Sequence, residues 1–191
     1  MTDVSRRTVC WTAMWDNRRE GPGLEHLLLG SHSADSVIIA FDEERGPFRL
    51  AYRLNWDDTW QLHDAHLVVS TPLMTHSLHL ETDGCGHWRH HDGRVIAELN
   101  GCQDIDIWPT PFTNSFPIRR VSMAVGERQE FCMAWIFAPD LTLRLQRQAY
   151  TRVSERRYLF ENLDGTRFEA TLSVDADGLV IDYPHLFGRL I

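Results

Sequence analysis

Two carboxylates two residues apart, Asp104 and Asp106, and two adjacent guanidiniums, Arg119 and Arg120, mark the stretch NGCQDIDIWPTPFTNSFPIRR over 100–120, the part of the chain richest in groups that do chemistry. On a strand, Asp104 and Asp106 leave the same face about 6.6 Å apart by backbone rise. That spacing suits hard-cation binding or an acid/base pair, and it overlaps the carboxyl separation of inverting glycosidases. Like charges so close also raise one pKa. The plainer alternatives are that both lie on the wet side of a strand whose dry side carries Ile105 and Ile107, or that they pair with Arg119 and Arg120. Adjacent residues point different ways in a strand or a helix, so one Arg is expected against the carboxylates. The other is then free for a ligand carboxylate or phosphate, unless it closes a salt bridge that only organises the loop.

The remaining reactive residue types are less ordered. Ten histidines include His63/His66, His76/His79 and His87/His90/His91. In a strand, an i, i+3 pair points to opposite faces, so the first two pairs do not chelate one ion without a bulge. Only the Trp88–Asp92 turn region offers two local ligands, and no HExxH accompanies it, so no metal is expected. Cys10, Cys85, Cys102 and Cys132 lack CxxC spacing and read as free thiols. No GxSxG appears, and only Cys102, near the Arg pair, has a setting that would activate a thiol. Seven Trp, nine Phe and four Tyr supply either core or the lining of an acyl or sugar pocket, with Trp15, Trp88 and Trp108 near turns or strand ends where exposure is expected.

These groups must be positioned mainly by strands. Period-two alternation is clearest where Leu141, Leu143 and Leu145 alternate with Thr142, Arg144 and Gln146, and where Phe168, Ala170, Leu172 and Val174 alternate with Arg167, Glu169, Thr171 and Ser173. The apolar set of each run is expected to be the dry face. Further strands are predicted at Thr8–Trp15, Leu24–Ser31, Ser36–Asp42, Phe48–Trp56, Trp60–Ser70, Ser77–Thr82, Ile105–Trp108, Arg128–Ala138, Arg156–Asn162 and Leu179–Tyr183. Gly-containing turns such as 20–23, Asp83-Gly84, Asp92-Gly93, Asp164-Gly165 and Asp177-Gly178 separate them. So many short strands predict a mainly β fold, an antiparallel sheet curled to protect its edges. The one helix fits Thr113–Ala124, with Thr113 or Asn114 as cap, Pro117 in the first turn, and Ile118, Val121 and Met123 toward the sheet.

Composition narrows the function classes. The 191 residues, 43% apolar and 24% charged, suit one domain over 1–191 with a packed core. A net charge of −8, with cations scattered as isolated Arg pairs, excludes a nucleic-acid partner. All nineteen cations are Arg, so Schiff-base, Ser-Lys and Walker A chemistry are excluded. No run is long and apolar enough for a transmembrane segment, and the first sixteen residues lack a signal-peptide core, so a cytoplasmic location is expected. No cofactor is expected.

The strings GCQDIDIWPTPFTNSFPIRR, DGCGHW, QAYTRV, YLFEN and VDADGLVIDYPHLF, spread over Val9–Arg189, resemble the putative glycolipid-binding family of bacterial proteins. The resemblance implies a spiral β-roll, a many-stranded antiparallel sheet wrapped around a single helix, similar in shape to bacterial lipoprotein carriers and mycobacterial glycolipid-binding lipoproteins. The positions matching the motifs are Glu25, Trp88, Asp104, Asp106, Thr113, Asn114, Arg119, Arg120, Asp182 and Tyr183. The leading expectation is a noncatalytic protein that holds a glycolipid or other amphiphile, with its chain against sheet aromatics and its polar head near Asp104, Asp106, Arg119 and Arg120. Asn114, Trp88 and Tyr183 complete the expected ligand-binding set. The alternatives are an enzyme acting on a glycoconjugate with Asp104 or Asp106 as acid/base, and a homo-oligomeric structural protein; a homodimer is also compatible with the first reading.

Overall fold

The computed structural model describes residues 6–13 and 23–191; Trp15 and the turn at 20–22 lie outside them. The strands of the first half are β1 (Arg7–Ala13), β2 (Gly23–Leu29), β3 (Ser33–Asp42), β4 (Gly46–Trp56), β5 (Leu62–Ser70), β6 (Thr75–Thr82) and β7 (Trp88–His90). Those of the second half are β8 (Asp104–Trp108), β9 (Arg128–Phe137), β10 (Thr142–Ser154), β11 (Arg157–Asn162), β12 (Glu169–Val174), β13 (Val180–Tyr183) and β14 (Phe187–Arg189). The predicted strands are present within a few residues, except that the run read at 141–146 continues as β10 to Ser154. Two short ones, β7 and β14, were not expected, because three residues are too few to show alternation.

All fourteen strands form one sheet in the order β7-β6-β5-β4-β3-β2-β1-β14-β13-β12-β11-β10-β9-β8. Two meanders therefore meet where the first strand pairs with the last, Trp11 opposite Arg189. The edge strands β7 and β8 are joined directly by residues 91–103, which include a 3-10 turn at Ala97–Leu99. Fourteen strands laid flat span about 60 Å from edge to edge, whereas that connection reaches at most about 50 Å even if fully extended. The sheet must curl.

One pairing departs from the antiparallel expectation: β8 runs parallel to β9, Asp104 opposite Met133 and Trp108 opposite Phe137. Parallel neighbours require a crossover. Residues 109–127 supply it, carrying a 3-10 turn (Phe112–Asn114) followed by α1 (Ser115–Arg120). Pro117 does sit in the first turn of α1, and Ile118 and Met123 are buried as expected. Asn114 occupies the N-cap position of α1 as expected, but neither its side chain nor that of Thr113 makes a capping hydrogen bond. Thr113 Oγ1 instead accepts from Ile107 N (3.2 Å) and donates to Asp106 Oδ1 (3.2 Å), while Asn114 Oδ1 accepts from the Tyr150 hydroxyl (2.8 Å). Both side chains tie the helical segment to the sheet.

The helix plugs the roll through Phe112 and Phe116, both fully buried. Phe116 meets Trp56 and Trp60 edge-on at 5.5 and 5.6 Å between ring centres, an arrangement favoured by the aromatic quadrupole. On the opposite side of the connection, Gly101 N donates to Gly86 O (2.9 Å), and the Trp88 indole N–H donates to Cys102 O (2.7 Å). Trp88 is thus 1% exposed, not exposed as its place near a turn suggested. The GCGHW and NGCQD strings touch there.

A Cβ on Gly86 (φ +98) would sit 2.8 Å from the Gly101 Cα, whereas Gly93 (φ +88) faces open space. Gly86→Ala is expected to destabilise the fold by about 2 kcal/mol more than Gly93→Ala, since both strain the backbone but only the first also overpacks it. Urea denaturation checks this; equal losses would show that the Gly86–Gly101 approach is not tight.

Candidate functional site

A cavity of about 550 Å³ opens between the β8–β11 strands and the β13–β14 turn. Its size lies within the range of small-ligand pockets. Asp106, Asn114, Gln148 and Tyr183 lie at its inner end, Trp108, Trp135 and Phe160 along its walls, and Arg144, Asp164 and Phe168 toward the exposed rim.

Strand β10 supplies one wall by a reversal of the expected pattern. Leu145 is 42% exposed while Gln146 and Gln148 are 4% and 1% exposed, so the polar parity of RLQRQAY faces inward. Gln148 Nε2 donates to Asp106 Oδ2 and to Gln146 Oε1, and Gln146 Nε2 donates to Asp164 Oδ2 (3.1 Å). At the rim, Arg144 pairs with Asp164 (3.5 Å) and lies over the Trp135 ring at 4.0 Å. A polar ladder therefore descends from rim to interior. The facing wall is apolar: Tyr183 packs against Phe160 and Phe187, each 6.0 Å between centres.

The sequence-predicted residues are divided among several places. Asp106, Asn114 and Tyr183 line this cavity. Asp104 and Arg120 line a separate hollow of about 260 Å³ and form a bidentate pair at 2.9 and 2.6 Å, with Asp104 only 1% exposed. Arg119 borders a third hollow and stacks over Trp60 at 5.1 Å. Trp88 is buried away from all three. Neither Asp is on a wet strand face, as one alternative had it: Asp104 is buried and Asp106 is partly covered.

Electrostatics follow from these environments. Burial raises the Asp104 pKa, opposed by the Arg120 hydrogen bonds and charge. Burial also raises that of Asp106, opposed only by the neutral donors Gln148 and Thr113. Burial pushes the Cys102 thiol up, and its Sγ lies 3.1 Å from Cys132 Sγ, so it is not an activated nucleophile despite the nearby Arg pair. Histidines gather across strands, with the rings of His66 and His79 at 5.1 Å and those of His79 and His91 stacked at 4.2 Å. Among the described residues no group of three or more His, Cys, Asp or Glu is placed to hold a metal.

One buried carboxylate escaped the sequence-predicted site. Glu25 Oε1 accepts from the Tyr52 hydroxyl (2.6 Å) and the Ser36 hydroxyl (2.8 Å), and Oε2 accepts from Thr110 (2.7 Å), a residue of the cavity wall. Among the described residues no cation joins it, and burial lifts its pKa to about 7. The available signal was parity, since Glu25 shares its strand face with fully buried Leu27. For Gln146 and Gln148 the pattern pointed the wrong way.

Residues 12–189 match the family described as putative glycolipid-binding. The chain belongs to that family. A solved family relative, the crystal structure of a DUF1089 family protein from Pseudomonas aeruginosa, is similar at 48% identity and a TM-score of 0.87, over 92% of this chain and 97% of that one. No protein with a curated description matches the chain. The family's sequence strings converge on two structural tasks, the Gly86–Gly101 contact and the ties of 104–120 to the sheet, and on the cavity through Asp106, Asn114 and Tyr183.

Arg120→Met, which leaves Asp104 buried without its partner, is expected to cost about 3 kcal/mol, and adding Asp104→Asn should restore much of the loss. A double-mutant cycle by chemical denaturation tests the coupling; additive losses would deny it. Glu25 keeps its proton in the folded state after an unfolded chain, with the ordinary value of 4.5, has lost it. Its contribution to stability is therefore complete below about pH 4.5 and is lost as pH rises through about 7, roughly 3 kcal/mol in all. Glu25→Gln should melt progressively higher relative to the parent from pH 5 to pH 8; parallel melting curves would contradict this.

Proposed function

We propose that the protein is a noncatalytic binder of a lipid-like amphiphile, held in the roughly 550 Å³ cavity between β8–β11 and the β13–β14 turn. The observation that carries this reading is the cavity's two-sided chemistry. Trp108, Trp135, Phe160 and Phe168 offer apolar surface, while Asp106 and the β10 glutamines offer a few fixed polar groups, the combination that orients a small ligand. Family membership supports an amphiphile as the ligand class.

The enzymatic alternative has less support. A two-carboxylate mechanism needs both groups at one substrate, and Asp104 and Asp106 line different hollows, with Asp104 spent on Arg120. Among the described residues no helix is long and apolar enough to cross a membrane. The proposed role is the binding of single amphiphile molecules, with a cytoplasmic location as part of the proposal.

Native mass spectrometry of the purified protein, followed by solvent extraction, tests it. The parent chain is expected to carry an amphiphile adduct, and Thr166→Trp, which narrows the rim, is expected to lose it. A bare parent with no lipid in the extract would sink the proposal.

A further inference from the structure

The inner end of the cavity is built for hydrogen-bonding without positive charge. Asp106 uses one lone-pair site on each oxygen, accepting from Thr113 and from Gln148, and a carboxylate has about four such sites. Its remaining acceptor capacity belongs to a partly exposed side chain on the cavity wall. Tyr183 is only 5% exposed and lines the same cavity, yet its hydroxyl has no hydrogen-bond partner among the described residues. That hydroxyl is not among the fully buried unpartnered atoms, so it opens to the cavity and can donate to or accept from a ligand there. The two groups are close enough that the charge of Asp106, after burial, holds the Tyr183 pKa well above its usual value.

Charge excludes one class of headgroup. Among the described residues the cavity carries two carboxylates, Asp106 and Asp164, against one guanidinium, Arg144, which is already paired with Asp164 and stacked on Trp135, and one exposed imidazole, His185, at the β13–β14 turn. Both arginines expected to hold a polar head, Arg119 and Arg120, border other hollows. A phosphate at the inner end would meet the Asp106 carboxylate with no cation among the described residues there to offset it, and the Gln148 amide N–H groups are already committed to Asp106 and Gln146. A sugar-like hydroxyl group fits instead, because it donates to a carboxylate and accepts from a phenol. The rim side, with Trp135, Phe168 and Leu186, offers apolar surface for a chain.

We infer that the ligand enters head first: an uncharged, hydroxyl-rich headgroup is recognised at the inner end by Asp106 and Tyr183, and the alkyl chain lies toward the rim. This rests on the reading of the cavity as an amphiphile site and adds the headgroup's charge class and the ligand's direction.

Three probes with the same eight-carbon chain separate the possibilities: n-octyl β-D-glucopyranoside, n-octyl phosphate and 1-octanol, titrated below micelle formation and followed by calorimetry on the full chain. The glucoside is expected to bind at least about tenfold more tightly than either of the others, a difference worth one or two good hydrogen bonds. Tyr183→Phe and Asp106→Asn are each expected to bring the glucoside-to-octanol preference down by about three- to tenfold. Tyr183→Phe removes no hydrogen bond within the protein, so it should melt close to the parent and keeps the test valid where Asp106→Asn weakens the fold. Octyl phosphate binding as tightly as the glucoside would overturn the headgroup inference while leaving the amphiphile reading intact. An unchanged glucoside-to-octanol preference in both variants would overturn the assignment to the inner end. Binding of none of the three would remove the amphiphile reading and this inference together.

Discussion

The connection that carries the chain from β7 to β8 constrains everything else, because it joins the two edges of one sheet across a span that a flat sheet would exceed. Curling the sheet brings its edges within reach and leaves an interior that must be filled. Residues 109–120 fill it, and they enter directly after β8. The same connection places Gly101 against Gly86 and the Trp88 indole against the Cys102 carbonyl, so edge and plug are fixed at one joint. The parallel β8–β9 pair is a consequence, since a chain that crosses the interior as a helix returns to the same end of its neighbour.

Plugging a β-roll with a short helical segment also brings polar backbone and side chains inside, and each has to be answered. Asp104 is answered by Arg120 in a bidentate pair, Asn114 by Tyr150 and the Pro111 carbonyl, and Thr113 by Ile107 and Asp106. Glu25 is answered by three hydroxyls and, among the described residues, by no charge, so burial keeps its pKa raised. What remains unanswered is informative. Among the described residues Asp106 has only neutral donors and spare acceptor capacity, the Tyr183 hydroxyl has no partner, and both border the 550 Å³ cavity. The residues that make the 100–120 stretch distinctive thus divide into those that hold the plug and those that face the cavity.

Strand β10 shows how the cavity rewrites a local rule. Alternation normally sends apolar side chains inward, but here the inward face of β10 borders a partly polar cavity, so Gln146 and Gln148 go in and Leu145 goes out. A one-residue change of parity is all that separates the two outcomes. Strand β12, two places along the sheet, keeps Leu172 and Val174 buried as its pattern suggests.

Local sequence determined what depends on short-range physics. Period-two alternation and Gly-containing turns specified most strands to within a few residues, and Pro117 in a short apolar-faced segment specified the helix. Motif strings identified the family, and the absence of lysine and of clustered cations excluded whole classes of chemistry. Only the tertiary structure decided which face of an alternating strand is wet, which Arg meets which Asp, and that Glu25 is a buried acid. Those outcomes depend on groups brought together from distant parts of the chain, as Thr110 is to Glu25 and Gln148 to Asp106. Alternation states that a strand has two faces; only packing across the roll determines whether the inner one meets core or cavity.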